Sequence, residues 1–495
     1  MHCKDTCLIV DLREGQNLAE ITNMIAVLSA AGWKTRISLK EYGGETLKLA
    51  KQAADQGFDA IIGYGGDGTL NQVVNGVMGV GGKNIVGVIP GGTANEWAGE
   101  ISVPGDHVKA ALTLVNSDVR KVDLGHVSVE GLSFSGTTQT EDNNSANATT
   151  KGKESKKKKK KLSARAKPYF LLMAGLGIDA AVIAHTSKSL KYHMGRLAFD
   201  VAAAKELPQQ QPFSIEIQST DKNGNIERWQ GEALQVIVAN TRRYANMVQI
   251  TSDAYLDDGL LDVCVITGGS AIKTIGQLTS LFLRHKPDPT TSKFFHGAQI
   301  SIRVPASIRM QLDGNAVDVQ DYLDKSEQEA LQQVEDPHQV MVNYLFVSEP
   351  HALRMAIPRT YDDTLFQNHR VADETKHKHN GTQANGVQAA SVHPQPPSSE
   401  QIEALVKDGY TVTVVGSVPD PAKSQTYIIA GNMRKQNNDE TVPVAVRVNG
   451  NAVTVKRTGE YLAANELEQL QEGAEIVVKG KKNKRGVIRA THVIV

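Results

Sequence analysis

The strongest constraint on this chain lies in its first quarter, where short apolar runs alternate with amphipathic stretches that stop at glycine. Cys7-Leu8-Ile9-Val10 predicts a buried strand, and residues 17–31 a helix ending at Gly32. Residues 33–39 alternate as a second strand, and 46–56 hold helical spacing up to Gly57. Residues 59–64 and 85–89 read as a third and fourth strand, with a helix over 71–78 between them and another opening at Thr93. Strands alternating with helices imply a parallel, doubly wound sheet covered on both faces, an α/β fold.

After Val122 the pattern changes to strands and turns, at 169–173, 213–219, 233–239, 261–266, 299–304 and 308–312. One helical interruption falls at 180–206, and the whole reads as a β-rich sandwich domain over 126–344. Two segments have the composition of chain that does not fold alone. Residues 136–167 run from a Thr/Asn/Ser tract into the lysines Lys156–Lys161, and 367–400 are rich in His, Gln, Asn and Pro. Beyond them, residues 401–495 hold short alternating strands, such as 411–415 and 475–478, with a helical patch at 466–471. That pattern predicts a small closed β-barrel of the OB type.

Composition narrows the classes. The chain has 54 Lys plus Arg against 54 Asp plus Glu, a net charge of zero, which excludes a uniformly basic nucleic-acid binder. Three cysteines, Cys3, Cys7 and Cys264, cannot build a disulfide framework in 495 residues. No apolar run approaches the ~18 residues of a membrane span, and Met1-His2-Cys3-Lys4-Asp5 lacks the features of a secretory signal. The expectation is a cytoplasmic protein that meets membranes only from their surface.

The sharpest chemical signal is Gly63-Tyr64-Gly65-Gly66-Asp67-Gly68-Thr69-Leu70-Asn71, set between a strand and a helix. Glycines let backbone amides approach phosphate oxygens, and a helix amino terminus favours an anion. A second such turn, Pro90-Gly91-Gly92-Thr93-Ala94-Asn95-Glu96, follows the next strand. Two glycine turns at successive strand ends face one crevice, where doubly wound sheets bind ligands.

Val122-Asp123-Leu124-Gly125, Ala174-Gly175-Leu176-Gly177-Ile178-Asp179-Ala180, Val238-Ala239-Asn240, the run Asp257-Asp258-Gly259-Leu260-Leu261-Asp262-Val263 and Gln311-Leu312-Asp313-Gly314 follow in order. With the two glycine turns, this series over roughly residues 5–366 resembles the diacylglycerol kinase catalytic-domain family, which includes sphingosine and bacterial lipid kinases. The resemblance implies ATP-dependent transfer of a phosphoryl group to a lipid hydroxyl, with Mg²⁺. It assigns nucleotide binding to Ser38, Gly65, Gly66, Asp67, Gly68, Thr69, Asn71, Gly92 and Thr93, with Asp67 also catalytic. Asp313 becomes the general-base candidate, and Asp258 with Tyr255 and Leu260 matches a structural magnesium site; Asp123 joins them as a metal candidate. The closing segment to Phe366 matches one that returns to the first domain, so the first domain comprises 1–125 with 345–366. NAD kinases share a similar Gly-Gly-Asp-Gly loop, which leaves a soluble acceptor as the alternative.

The chain also departs from the family's pattern. Asn315 follows Asp313-Gly314 where the family has Glu, Gln72 and Glu96 replace a family acid and Asp, and Asp11-Leu12 stands for Asn-Pro. Loss of carboxylates at Gln72 and Asn315 raises a second reading, a weakened or inactive lipid- or nucleotide-binding protein. Lys156–Lys161 would dock an anionic membrane surface. The aromatic-poor barrel gives little support to single-stranded nucleic acid as a partner.

Overall fold

The structure, a computed structural model, describes residues 1, 3–11, 18–134, 166–177, 211–244, 248–267, 292–334, 339–367, 397–434, 441–462 and 464–495. The expected helix at 180–206, the lysine run Lys156–Lys161 and nearly all of the segments 136–167 and 367–400 lie outside these residues. Two compact units are present, Met1–Lys121 with Leu353–Val495, and Val122–Ala352.

The first unit opens as β1 (Asp5–Val10), α1 (Leu18–Ala30), β2 (Lys34–Leu39), α2 (Glu45–Asp55), β3 (Ala60–Gly65), α3 (Asp67–Met78), β4 (Ile85–Pro90), α4 (Glu96–Glu100) and α5 (His107–Val115). The strands pair in parallel in the order β2-β1-β3-β4, with Val10 level with Leu39 and Tyr64, and Gly65 level with Pro90. Their carboxyl ends therefore share one rim. Residues of α1 and α5 cover the face carrying Leu8, Val10, Ala60 and Ile62. Alternation turns Gly63 to the other face, against Val73 of α3. There α2 and α3 meet closely: a Cβ on Gly76 would lie 2.6 Å from the Cβ of Ala50. The helix expected from residue 71 begins four residues earlier, at Asp67. First-turn amides need no partner inside a helix and Asp67 suits its positive end, so Asp67-Gly68-Thr69-Leu70 are helical.

The second unit is β-rich. It holds β5 (Ser117–Phe134, from Val122), β6 (Tyr169–Phe170), β7 (Met173–Gly177), β8 (Phe213–Thr220), β9 (Ile226–Ala239), β10 (Arg243–Tyr244), β11 (Val248–Gln249) and β12 (Leu261–Thr267). Then come β13 (Ser292–Gly297), β14 (Gln299–Pro305), β15 (Met310–Leu312), β16 (Asn315–Val317), α6 (Lys325–Gln332) and β17 (Val340–Pro358). Strands run β16-β15-β7-β9-β8-β14-β17, and β12 lies beside the second half of β9. Phe213, Ile215 and Ile217 are buried while Ser214 and Glu216 between them are exposed, the alternation of a sheet with one wet face. The inner faces enclose a core that includes Val127, Phe170, Val236, Ile300, Tyr344 and Phe346. Past Leu353 the chain is again in the first unit, where Arg354 and Met355 pair in parallel with Ile85 and Val86 of β4.

After α7 (Ser399–Asp408) come β18 (Tyr410–Pro419), β19 (Tyr427–Arg434), β20 (Thr441–Val455), α8 (Ala464–Glu468), β21 (Glu475–Lys482) and β22 (Val487–Ile494). The strands close as β18-β19-β20-β22-β21, with β20 and β22 parallel and β18 antiparallel to β21. This is the five-stranded OB arrangement.

The barrel is not free-standing. Ile428, Ala430, Ala445 and Val487 share one core with Met24, Val27, Leu112 and Leu114 of α1 and α5. Arg447 of β20 donates to the carbonyl of Ala30 and to the Asp420 carboxylate at 2.6 Å, where the two side chains are 11% and 2% exposed. Truncating one partner of a buried pair leaves the other charge uncompensated. Arg447→Met is expected to cost about 3 kcal/mol, read as a lower urea midpoint for the full chain.

Candidate active site

The rim at the carboxyl ends of β1–β4 carries both glycine turns. Asp67, in the first turn of α3, accepts from the Glu96 amide at Oδ2 and the Trp97 amide at Oδ1, both at 3.0 Å. Its carboxylate thereby ties the β3 turn to the start of α4. Although the residue is half-buried, the carboxylate is enclosed by these contacts. Burial pushes its pKa above the ordinary range, and the amides of Glu96 and Trp97 act against that rise. Asp67 is thus a positioning residue for the two turns.

The second turn is closed by Asn95 in the left-handed region, φ 52°, which Asn tolerates better than most residues. Its carboxamide accepts from the Gly92 amide at 2.8 Å and donates to the Gly92 carbonyl at 3.0 Å. The glycines are required by contact between the turns: a Cβ on Gly92 would fall 2.3 Å from the Cα of Gly66, and one on Gly65 2.5 Å from Thr69 Oγ1. Backbone is therefore the surface these turns present, as a phosphate cradle needs. Gly68 lies in the first turn of α3, and Thr93 sits half-buried in the second turn.

Thr69 donates its hydroxyl to Asp11 Oδ2 at 2.8 Å, and Lys40 Nζ lies 2.7 Å from the same oxygen. Asp11 follows β1 and Lys40 follows β2, so three strand ends contribute to one polar cluster at the rim. Lys40 was not legible as a site residue, although a charge immediately after a parallel strand is the signal that finds it. Ser38 lies within β2, its hydroxyl 3.6 Å from Cys7 Sγ. Asn71 is buried, and its side-chain oxygen and carbonyl both face the Asn75 amide group. Gln72 donates to the Gly68 carbonyl at 3.2 Å, while its buried Oε1 has no hydrogen-bond partner.

The remaining candidates lie in the second unit. Asp313, buried at φ 46°, accepts from the amides of Leu171 at 2.8 Å, Leu172 at 2.8 Å and Met173 at 3.1 Å. Leu172 and Met173 share Oδ1, and Leu171 takes Oδ2. Asn315 turns its amide to the carbonyls of Leu312 and Asp313, at 3.4 and 3.3 Å. Asp123 is fully buried and accepts from the Gly259 amide and, at 2.6 Å, from the His351 amide.

Asp258 accepts from the Leu260 amide at 3.0 Å, and Lys222 donates its ammonium to the Asp258 carbonyl. Burial first, then the Asp123 charge among its neighbours, hold the Asp258 carboxyl above its usual range. The Arg242 guanidinium stands 4.7 Å from the centre of the Tyr255 ring. Among the described residues no three His, Cys, Asp or Glu side chains are grouped to hold a metal. The four sequence-assigned metal residues thus fit a resident ion poorly: Asp123 is satisfied by amides, and a lysine ammonium already meets the Asp258 carbonyl.

A doubly wound sheet with paired glycine turns on one rim, followed by a β-rich unit, defines a two-unit architecture of α/β and β-sandwich parts. Residues 6–127 match the diacylglycerol kinase catalytic domain, and residues 173–332 match the YegS C-terminal NAD kinase β-sandwich-like domain. A diacylglycerol kinase of Bacillus subtilis is 24% identical over 295 residues, 59% of this chain and 83% of that protein. One of Staphylococcus aureus, strain bovine RF122 / ET3-1, is 26% identical over 296 residues, 60% of this chain and 80% of that protein. The fold is also that of a putative diacylglycerol kinase from Bacillus anthracis, with a TM-score of 0.50 at 16% identity over 72% of this chain and 98% of that one. The chain belongs to the diacylglycerol kinase catalytic-domain family, a family of lipid kinases. Both family models end before the barrel begins.

The cysteines take no part in this chemistry, since burial raises the thiols of Cys3 and Cys264 to about 12. Asp262, at the start of β12, is different. Burial, with Asp258 and Asp253 adding to it, raises its carboxyl from 3.8 to about 7. The folded chain then binds more protons there than the unfolded one, so stability falls as pH rises from 3.8 towards about 7. Asp262→Asn is expected to raise stability at pH 8 by about 1–2 kcal/mol, allowing for partial exposure, and far less at pH 4. Denaturation midpoints at the two pH values check this.

Proposed function

We propose that this chain transfers the γ-phosphoryl group of ATP to a hydroxyl of diacylglycerol or a sphingoid-type lipid at a membrane surface. The observation that carries the reading is the locked pair of glycine turns on one strand rim, with Lys40, Asp11 and Thr69 beside them. Amides of Gly65–Gly68 and Gly92–Thr93 would receive the phosphates, and Lys40 would leave Asp11 for a phosphate oxygen. Asp313 is the base of this proposal. Its amide cradle orients the carboxylate, and Oδ2 takes the hydroxyl proton as the acceptor oxygen bonds to the γ-phosphorus. The bond from that phosphorus to the bridging oxygen breaks, and ADP leaves. Magnesium bound with the triphosphate would neutralise charge on the transferred group.

Two observations favour a second reading, in which transfer is slow or absent. Gln72 leaves a buried oxygen unsatisfied, and Asn315 spends its amide on its own turn rather than supplying a charge beside Asp313.

Incubation with labelled ATP, Mg²⁺ and dispersed diacylglycerol or long-chain base is expected to give labelled lipid, whereas transfer to NAD alone would reject the lipid acceptor. Lys40→Met is expected to weaken nucleotide binding about tenfold with little loss of stability, measured by titration with a fluorescent ATP analogue. If the native chain binds nucleotide without transferring it, Asn315→Glu is the informative variant. Appearance of transfer would identify the lost carboxylate as the cause, and continued silence would favour a binding protein.

A further inference from the structure

The barrel offers a surface that nucleotide and lipid chemistry leave unused. From Ile476 to Val495 the chain carries Lys479, Lys481, Lys482, Lys484, Arg485 and Arg489 and not one acidic residue. These lie on the β21–β22 arm and its turn. Lys479 is matched by Asp408 at 3.3 Å, but Lys481, Lys482, Lys484, Arg485 and Arg489 are all exposed. Among the described residues none of those five meets a carboxylate, and the one polar contact made by their side chains is Lys482 Nζ at 4.0 Å from Met433 Sδ. Lys481 stands directly opposite Arg489 across the two strands. Like charges in that register cost stability, so the arm is not arranged for its own folding.

The kind of partner follows from what the barrel has given up. OB barrels bind oligonucleotides on the face of their second and third strands, with the loops joining the first to the second and the fourth to the fifth strand. Here that face is covered: Ile428 and Ala430 of β19 and Ala445 of β20 are buried with α1 and α5, and Arg447 is bonded to Ala30. Stacking platforms for single strands need exposed rings. Tyr410 and Tyr427 pack against the barrel core, and in the barrel Tyr461, at 42% exposure, is the large apolar side chain left open. What stays accessible on the arm is the charge of the fourth-to-fifth-strand turn, with the strand face that would complete an oligonucleotide groove covered and no ring of its own, which suits a flat polyanion. The arm is also held in place, because Val487 just after its turn enters the core shared with α1 and α5.

We infer that the β21–β22 arm docks the first unit on an anionic lipid surface. This deepens the lipid-kinase reading and rests on it for the identity of the surface. A basic residue near such a surface contributes about fivefold in partitioning, and the effect fades within a Debye length.

The test is sedimentation of the full chain with vesicles of phosphatidylcholine alone or with added phosphatidylserine, without nucleotide. The native chain should bind the anionic vesicles selectively and lose binding as salt rises. Lys481→Gln, Lys484→Gln, Arg485→Gln and Arg489→Gln combined should lower that partitioning at least tenfold with a melting temperature no lower than that of the native chain. Deleting 151–161 should leave most of it. Equal partitioning of the native and four-fold variant chains would overturn the inference, as would tighter binding to a single-stranded oligonucleotide at the same salt. Phosphorylation of detergent-dispersed diacylglycerol, measured separately, distinguishes the two proposals. A variant active there but unable to bind vesicles supports the docking arm, whereas native chain that binds vesicles without phosphorylating lipid strikes only the kinase reading.

Discussion

One carboxylate organises the rim at the carboxyl ends of β1–β4. Asp67 lies at the positive end of α3 and reaches across to the first amides of α4, so the turns after β3 and β4 are one object rather than two loops. The closeness this demands is what fixes the glycines. Gly92 approaches the Cα of Gly66 to a distance at which any side chain would force the backbone apart. An enclosed carboxylate would ordinarily be costly, and here charge-assisted amide bonds offset that cost. A rim built this way presents backbone amides that are already ordered before any phosphate arrives, which lowers the entropy cost of binding.

The second unit repeats the device. Asp313 gathers the consecutive amides of Leu171, Leu172 and Met173, and Asp123 joins the Gly259 turn to His351. In each case an acid in a short motif binds distant backbone segments together. For Asp123 and Asp67 the architectural task accounts for the residue. For Asp313 it also aims a carboxylate, which accepts from Leu171 at Oδ2 and from Leu172 and Met173 at Oδ1.

How much of this could be read beforehand depended on the range of the interactions. The strands of the parallel sheet and the OB barrel came from local alternation, a signal carried by neighbouring residues. The start of α3 was placed late because Gly66 and Gly68 resemble loop residues, whereas a first helical turn asks nothing of their side chains. The glycine turns were legible as turns after β3 and β4, but the task of Asp67 was not, since its partners lie 29 and 30 residues away. Lys40 escaped for the same reason: its relation to Asp11 and Thr69 exists only once β1, β2 and β3 end on one rim. The magnesium assignment followed the order of motifs, and no motif indicates that Lys222 reaches the Asp258 carbonyl.

The barrel shows how a familiar fold can be put to a different use by what it packs against. Its strand order is that of an oligonucleotide binder, yet β19 and β20 supply Ile428, Ala430 and Ala445 to the core of α1 and α5. Burying that face covers the strands of the groove and makes the barrel part of the same compact unit as the glycine-turn rim. Arg447 reinforces the join with a guanidinium shared between Ala30 and Asp420, a contact too enclosed for water to replace readily. The consequence is geometric. Charge on a tethered module would only raise the local concentration of a surface, whereas charge on a docked one fixes the direction from which that surface approaches. A chain with zero net charge can still carry a local direction of this kind, because six of its basic residues and no acid fall between Ile476 and Val495.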